Sequence, residues 1–280
     1  MFTKIETQKN WSLPFFPIGK KIPKLIHQTY YSKNLPPEFS ENVYDLKERN
    51  PTWKYNLYDD EDIRTIVTEI YGSNITSYIN KISPKYGAAK ADLFRYLLLY
   101  RFGGVYLDIK SNCSKPLDDV IKPHDSFLLA HWKNEPGQQH AGFGKQKELS
   151  HIPNGEYQQW HIFTAAGHPF LKATIETVLT NIDNYNPWLH GTGGRGVLKL
   201  TGPIAYTLAI HPLISIHKHR VIDPDEVGLK YNALNKSHKR IFKSHYLNQT
   251  DSIIKFDGYR KISGQIYSLL RQAKRKLNKS

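Results

Sequence analysis

Three charged side chains stand where packing alone would not put them. Ala88-Ala89-Lys90-Ala91-Asp92-Leu93-Phe94-Arg95-Tyr96 sets a carboxylate and a guanidinium on a helix pattern that is otherwise mostly apolar. Gly103-Gly104-Val105-Tyr106-Leu107-Asp108-Ile109-Lys110 then stops the helix and delivers Asp108 near a strand end. A buried charge is costly unless something pairs with it. Asp92 and Arg95 are one helical turn apart and share a face, so an ordinary surface ion pair, contributing about 0.2–0.5 kcal/mol, is the bland alternative. The strand weighs against it. Period-2 alternation puts Tyr106, Asp108 and Lys110 on one face and Val105, Leu107 and Ile109 on the other. A strand end that offers Asp and Lys after a Gly-Gly turn suits a charged ligand better than a core.

The elements that must hold these residues follow from patterning. Lys24 to Tyr30 is an apolar run after Pro23 and reads as a first strand. Pro37 sits in the first turn of a helix over Glu38 to Arg49, which Asn50-Pro51 ends. Trp53 to Tyr58 alternates as a second strand, and Asp59-Asp60 opens a helix through Ile70. Ser83 caps the key helix with Pro84 at its first position, and Gly103 ends it. Val105 to Ile109 is a third strand and Phe127 to His131 a fourth. Strands alternating with helices predict an α/β fold with a mainly parallel sheet, whose ligands bind at the carboxyl ends of strands. His27 and Asp108 are expected there.

The 280 residues suffice for a substantial core. No apolar run is long enough to span a bilayer, and Met1 to Lys9 lacks the apolar stretch of a secretory signal, so the chain reads as cytoplasmic. Cys113, the single cysteine, excludes an internal disulfide and a cysteine zinc cluster, and reads as structural. His211, His217 and His219 read as scattered surface histidines rather than a metal set. The net charge of +14 favours anionic partners. The excess gathers in Tyr259 to Ser280, where Arg260, Lys261, Arg271, Lys274, Arg275, Lys276 and Lys279 meet no acidic residue. Ile262, Ile266, Leu269, Leu270, Ala273 and Leu277 recur there at helical spacing. Such a basic amphipathic helix either lies on an anionic membrane surface, as a peripheral contact on its inner face, or packs on its own domain.

Ala88 to Tyr96 followed by Gly103 to Asp108 resembles the signature of glycosyltransferases with a DXD-containing sugar-binding region (glycosyltransferase family 32). That family includes the fungal initiating α-1,6-mannosyltransferases, bacterial capsule and lipopolysaccharide enzymes, and clostridial toxin glucosyltransferase domains. Further pieces agree in order: Ile22 to Tyr30, with Tyr30 in place of the usual tryptophan; Asn50 to Trp53 with Tyr58-Asp59-Asp60; Gln159 to Pro169; and Thr201-Gly202-Pro203. The similarity spans roughly residues 22 to 210. It implies three parts: an N-terminal extension (1–21), a GT-A domain with a Rossmann-like sheet (22–220), and a C-terminal segment (221–280) ending in the basic helix.

The resemblance implies transfer of a hexose, with retention, from a GDP- or UDP-sugar to a glycan or lipid-linked glycan, in surface or capsular polysaccharide synthesis. By position, Asp92 and Arg95 would bind the nucleotide or donor sugar, Asp108 the ribose and a divalent cation (Mn²⁺ or Mg²⁺), and Ile26, His27 and Gln28 would edge the base, with Tyr106 beside them. A carboxylate suits vicinal hydroxyls, and a hard cation neutralises a diphosphate. One departure matters: where the family has Asp-X-Asp, this chain has Asp108-Ile109-Lys110, and a protonated lysine offers a metal no lone pair. Lys110 either supplies positive charge to the diphosphate or is a solvated lysine, ion-paired with Asp118 or Asp119. Asp108, Lys110 and Arg95 are therefore the catalytic candidates. Gly191 to Gly196 reads as a loop whose Arg195 can close over phosphates or simply lie at the surface. Trp132 and Trp160 are candidate platforms for the acceptor, although a loop tryptophan more often packs. Two other classes stay in view: a toxin-like protein glycosyltransferase, separable by acceptor tests, and a basic nucleic-acid-binding protein. The second lacks a recognition motif, so no nucleic-acid partner is expected.

Overall fold

The run after Pro23 forms β1 (Leu25–Thr29), whose neighbours organise the rest. Next come α1 (Pro37–Glu48), β2 (Lys54–Tyr58) and α2 (Asp60–Lys81). A single 3₁₀ turn over Pro84–Tyr86 leads into α3 (Gly87–Phe102) and β3 (Gly104–Leu107). Then follow β4 (Asn112–Cys113), α4 (Leu117–Val120), β5 (Phe127–Leu129) and β6 (His161–Thr164). The helices α5 (Pro169–Asp183), α6 (Pro187–His190), α7 (Gly193–Leu200) and α8 (Pro203–Ile210) are consecutive. Two short strands, β7 (Arg220–Val221) and β8 (Leu229–Lys230), precede α9 (Gly258–Leu277). This is a computed structural model that describes residues 10–234 and 249–277, without the side chains of Tyr259, Arg260 and 274–277. Met1 to Lys9, and the side chains of Lys274, Arg275, Lys276, Leu277 and Lys279, lie outside the described residues.

The main sheet has six strands in the order β2-β1-β3-β6-β5-β7. β1 pairs in parallel with β2 and β3, and β5 with β7, whereas β6 runs antiparallel to both β3 and β5. The sheet is therefore mainly parallel, with one reversed strand near its centre. One face, through Tyr106, Phe127, Leu129 and Ile162, packs on apolar residues of α2, α3, α5, α7 and α8. The other, through Ile26, Val105, Leu107, Leu128 and Phe163, packs on Leu46 of α1 and on Leu117 and Val120 of α4.

Gly103 and Gly104 make the junction between α3 and β3. Both have left-handed φ, +65° and +103°. A Cβ on Gly103 would lie 2.6 Å from Ala166 N, and one on Gly104 2.6 Å from Leu25 O. Only glycine lets β3 leave the helix here and approach β1 and β6 so closely.

Local structure departs from the sequence reading at five places. The third strand ends at Leu107, and Asp108 to Ser111 form a turn closed by Ser111 N–H donating to Asp108 O at 2.8 Å. Strand alternation therefore does not reach Lys110. The second helix continues past Ile70 to Lys81 because Gly72, at φ +74°, absorbs a kink. Pro84 starts a 3₁₀ turn, not the helix itself, and Ser83 makes no side-chain cap. Gly191 to Gly196 is a loop only at Gly191 and Thr192: Gly193 starts α7, held by its N–H donating to the Tyr86 hydroxyl at 3.0 Å. His27 stands at the middle of β1, not its carboxyl end.

Candidate active site

Asp108 follows β3 directly and is fixed through its backbone. Its N–H donates to Trp160 O at 2.8 Å, and its carbonyl accepts from Gln28 Nε2 at 3.2 Å. Gln28 is itself held by the Tyr55 hydroxyl at 2.9 Å. The first residue past the strand is thereby pinned to β1 on one side and to the residue preceding β6 on the other.

Beneath it, α3 presents Arg95. The guanidinium pairs with Asp108 Oδ1 at 3.2 Å and with Asp92 Oδ1 at 3.1 Å, donates to Gln159 O at 2.9 Å, and lies 4.4 Å over the Tyr106 ring. Asp92 also accepts from Thr201 Oγ1 at 2.9 Å and Gln159 Nε2 at 3.2 Å. The Asp92 and Arg95 side chains are 5% exposed and that of Asp108 is 25% exposed. Burial pushes the Asp92 carboxyl up, against the pull of Arg95, Thr201 and Gln159. Burial likewise opposes the Arg95 charge, but Tyr106, Asp108 and Asp92 outweigh it and hold the guanidinium firmly protonated. The three charges form one chain in which Asp108 alone has substantial access to solvent.

Asp92 and Arg95 thus lie below the surface with their polar atoms committed to the protein, as supports for Asp108. Ile26 is in the core, and Gln28 is fully buried against the Asp108 carbonyl. His27 is buried between the Tyr58 hydroxyl (3.0 Å) and Gly103 O (3.1 Å), and burial lowers its pKa to about 4. It is a neutral packing histidine. Tyr106 is buried, its hydroxyl 2.9 Å from Thr29 Oγ1. Arg195, in the first turn of α7, is exposed and paired with Glu148 at 3.2 Å.

Lys110 places its Nζ 4.0 Å over the Tyr231 ring. Asp118 is paired with Lys24 instead. Tyr231 packs edge-on against both Trp132 and Trp160, at 5.1 and 5.5 Å between ring centres. These three aromatics line a small cavity with Gln158 and His140 beside the Asp108 turn. Trp132 and Trp160 are both largely buried, so they wall this cavity rather than stand open as platforms. Trp132 Nε1 donates to Glu156 Oε1 at 2.7 Å, and burial raises the Glu156 carboxyl to about 7.

The residues present do not fit a two-carboxylate metal site. Asp108 is already paired with Arg95, its expected companion is Lys110, and among the described residues no group of three or more His, Cys, Asp or Glu converges.

Several participants escaped sequence reading. Tyr231 lies in a segment without a recognised motif. Thr201 belongs to a visible Thr-Gly-Pro motif, but nothing in the spacing aims it at Asp92.

Residues 36–128 match the family described as glycosyltransferase sugar-binding region containing DXD motif. The chain is 33% identical over 170 residues to inositol phosphoceramide mannosyltransferase 1 of Schizosaccharomyces pombe, covering 60% of this chain and 44% of that one. It is 27% identical over 207 residues to the initiation-specific alpha-1,6-mannosyltransferase of Candida albicans, covering 68% and 52%. The chain spans about half the length of these relatives. Among solved structures, the PaToxG glycosyltransferase superposes with a TM-score of 0.50 at 18% identity, covering 70% of this chain and 72% of that one. The UDP-bound glycosyltransferase domain of the YGT toxin superposes at 0.51 and 9%, covering 80% and 82%. At such identities the likeness concerns the fold. Residues 36–128 are thus similar to the DXD-containing glycosyltransferase sugar-binding region, and the sheet that carries them has a GT-A-type fold.

Proposed function

We propose that this chain transfers a hexose, with retention, from a nucleotide-diphosphate sugar to a glycan or lipid-linked glycan acceptor in surface or capsular polysaccharide synthesis. The relatives' names favour mannose as the hexose. One observation carries the reading: Asp108, at the carboxyl end of β3, is the member of a buried three-charge chain that reaches solvent. Arg95 orients that carboxylate, ready to accept hydrogen bonds from donor hydroxyls. Lys110, two residues on, supplies positive charge to the diphosphate where the family pattern has a second aspartate.

In the front-face route, the bond from the anomeric carbon to the diphosphate oxygen breaks and that oxygen takes the acceptor hydroxyl's proton. The acceptor oxygen bonds the anomeric carbon on the same face. No protein nucleophile is needed, and the protein contributes positioning and charge. Asp108→Asn should lower donor turnover by about 100-fold or more with an unchanged circular dichroism spectrum. Near-normal turnover would sink the assignment. Lys110→Ala should raise the donor KM more than it lowers kcat, measured with and without Mn²⁺. Strict dependence of the parent protein on Mn²⁺ would overturn the role given to Lys110.

A further inference from the structure

The helix α9 is mounted with its apolar stripe outward. Ser268 Oγ donates to Asp251 Oδ1 at 3.1 Å, Gln272 Nε2 to Thr250 Oγ1 at 3.3 Å, and Trp188 Nε1 to Ser263 Oγ at 3.1 Å. Gly264 and Ser268 are buried. The Trp188 ring meets Tyr267 edge-on at 5.0 Å. These contacts settle which side faces the body: small and polar residues with one tyrosine. Ile262, Ile266, Leu269 and Leu270, spaced i, i+4, i+7 and i+8, are left 49–65% exposed. Leu189 of α6 is 76% exposed. A helix of this amphipathicity ordinarily buries that stripe, and a contiguous exposed apolar ridge marks a contact surface.

The charge around the ridge selects the occupant. Residues 259–280 carry seven Lys or Arg and no Asp or Glu. Lys261 and Arg271 are exposed on the helix, and Lys255 and Lys261 line the groove beside it. Of the carboxylates near the helix, Asp251 is neutralised by Lys85 and held by Ser268, and Asp257 stands exposed just before its first residue. A second copy of this helix would bring like charges together, whereas an anionic bilayer takes the ridge into its acyl boundary and the cations among its phosphates.

We infer that α9 docks this protein on an anionic lipid surface through the Ile262, Ile266, Leu269 and Leu270 ridge. This goes beyond the transfer reaction and does not depend on it. The full chain should float with vesicles of phosphatidylcholine containing phosphatidylserine, and only weakly with phosphatidylcholine alone. The double variant Ile266→Glu/Leu270→Glu should bind the anionic vesicles about tenfold less or weaker, with an unchanged melting temperature and unchanged donor turnover. Equal flotation of parent and variant would overturn the proposal, as would failure of the parent to float. A concentration-dependent dimer in sedimentation velocity that the same variant abolishes would assign the ridge to a second copy instead. If the double variant unfolds, Leu269→Ser alone carries the same comparison.

Discussion

The helices α3 and α9 break the hydrophobic rule in opposite directions. α3 buries Asp92 and Arg95 in the core, and α9 turns its leucine and isoleucine stripe to solvent. The remedies differ as well. On α3, Asp108, Thr201, Gln159 and Tyr106 converge on the two charges, so that little of either is left unmatched. On α9 no such convergence occurs: polar side chains hold the inner face while the apolar one stays open. A buried charge cannot wait for a ligand and must be compensated within the fold, whereas an apolar ridge flanked by cations can remain until a surface meets it.

That contrast is open to attack, starting with the core. Arg95→Met would leave Asp92 and Asp108 without their shared cation. Removing one partner of a buried pair costs about 3–5 kcal/mol. Urea unfolding near neutral pH should show a loss of that size, and a loss under about 1 kcal/mol would mean the charges are not held as described.

A second test sharpens the point with a buried carboxylate that has no cationic partner among the described residues. The Glu156 carboxylate accepts from the Trp132 N–H, and burial lifts it from 4.5 to about 7. An acid whose folded pKa is raised binds more protons folded than unfolded between those values. This group's contribution to stability therefore declines as pH rises from about 4.5 to about 7 and stays low above. Glu156→Gln keeps an acceptor for Trp132 and removes the decline. At pH 8 it should be the more stable protein, by about 3 kcal/mol. Parallel pH-stability curves for the two proteins would refute this.

The smallest effect belongs to α9. Leu270→Ser should change stability by less than about 0.5 kcal/mol, since the side chain is exposed, while still weakening vesicle binding. A large loss of stability would show that the ridge is buried in solution.

Much of the scaffold was legible because it follows from periodicity and punctuation. The first strands and helices, the glycine stop at Gly103, and the amphipathic pattern of α9 all emerge from local spacing. Asp92, Arg95 and Asp108 were legible as a group because charges inside apolar runs are conspicuous. Their ranking was not. Both Asp92 and Arg95 look like ligand contacts until Thr201 and Gln159, each far along the chain, are seen to occupy them. Lys110 was expected beside Tyr106 and Asp108 by alternation. The turn at Asp108–Ser111 sends it to Tyr231, more than a hundred residues on.

By itself, the sequence determined the α/β class, the run of motifs and the positions of the unusual charges, because these rest on hydrophobic period, glycine conformation and residue chemistry. Only the tertiary structure decided which charge reaches solvent, which tryptophans are walls and which face of α9 is free. Those outcomes depend on contacts between segments distant along the chain, and local spacing carries no information about which distant side chain will arrive to satisfy a charge or cover an apolar stripe.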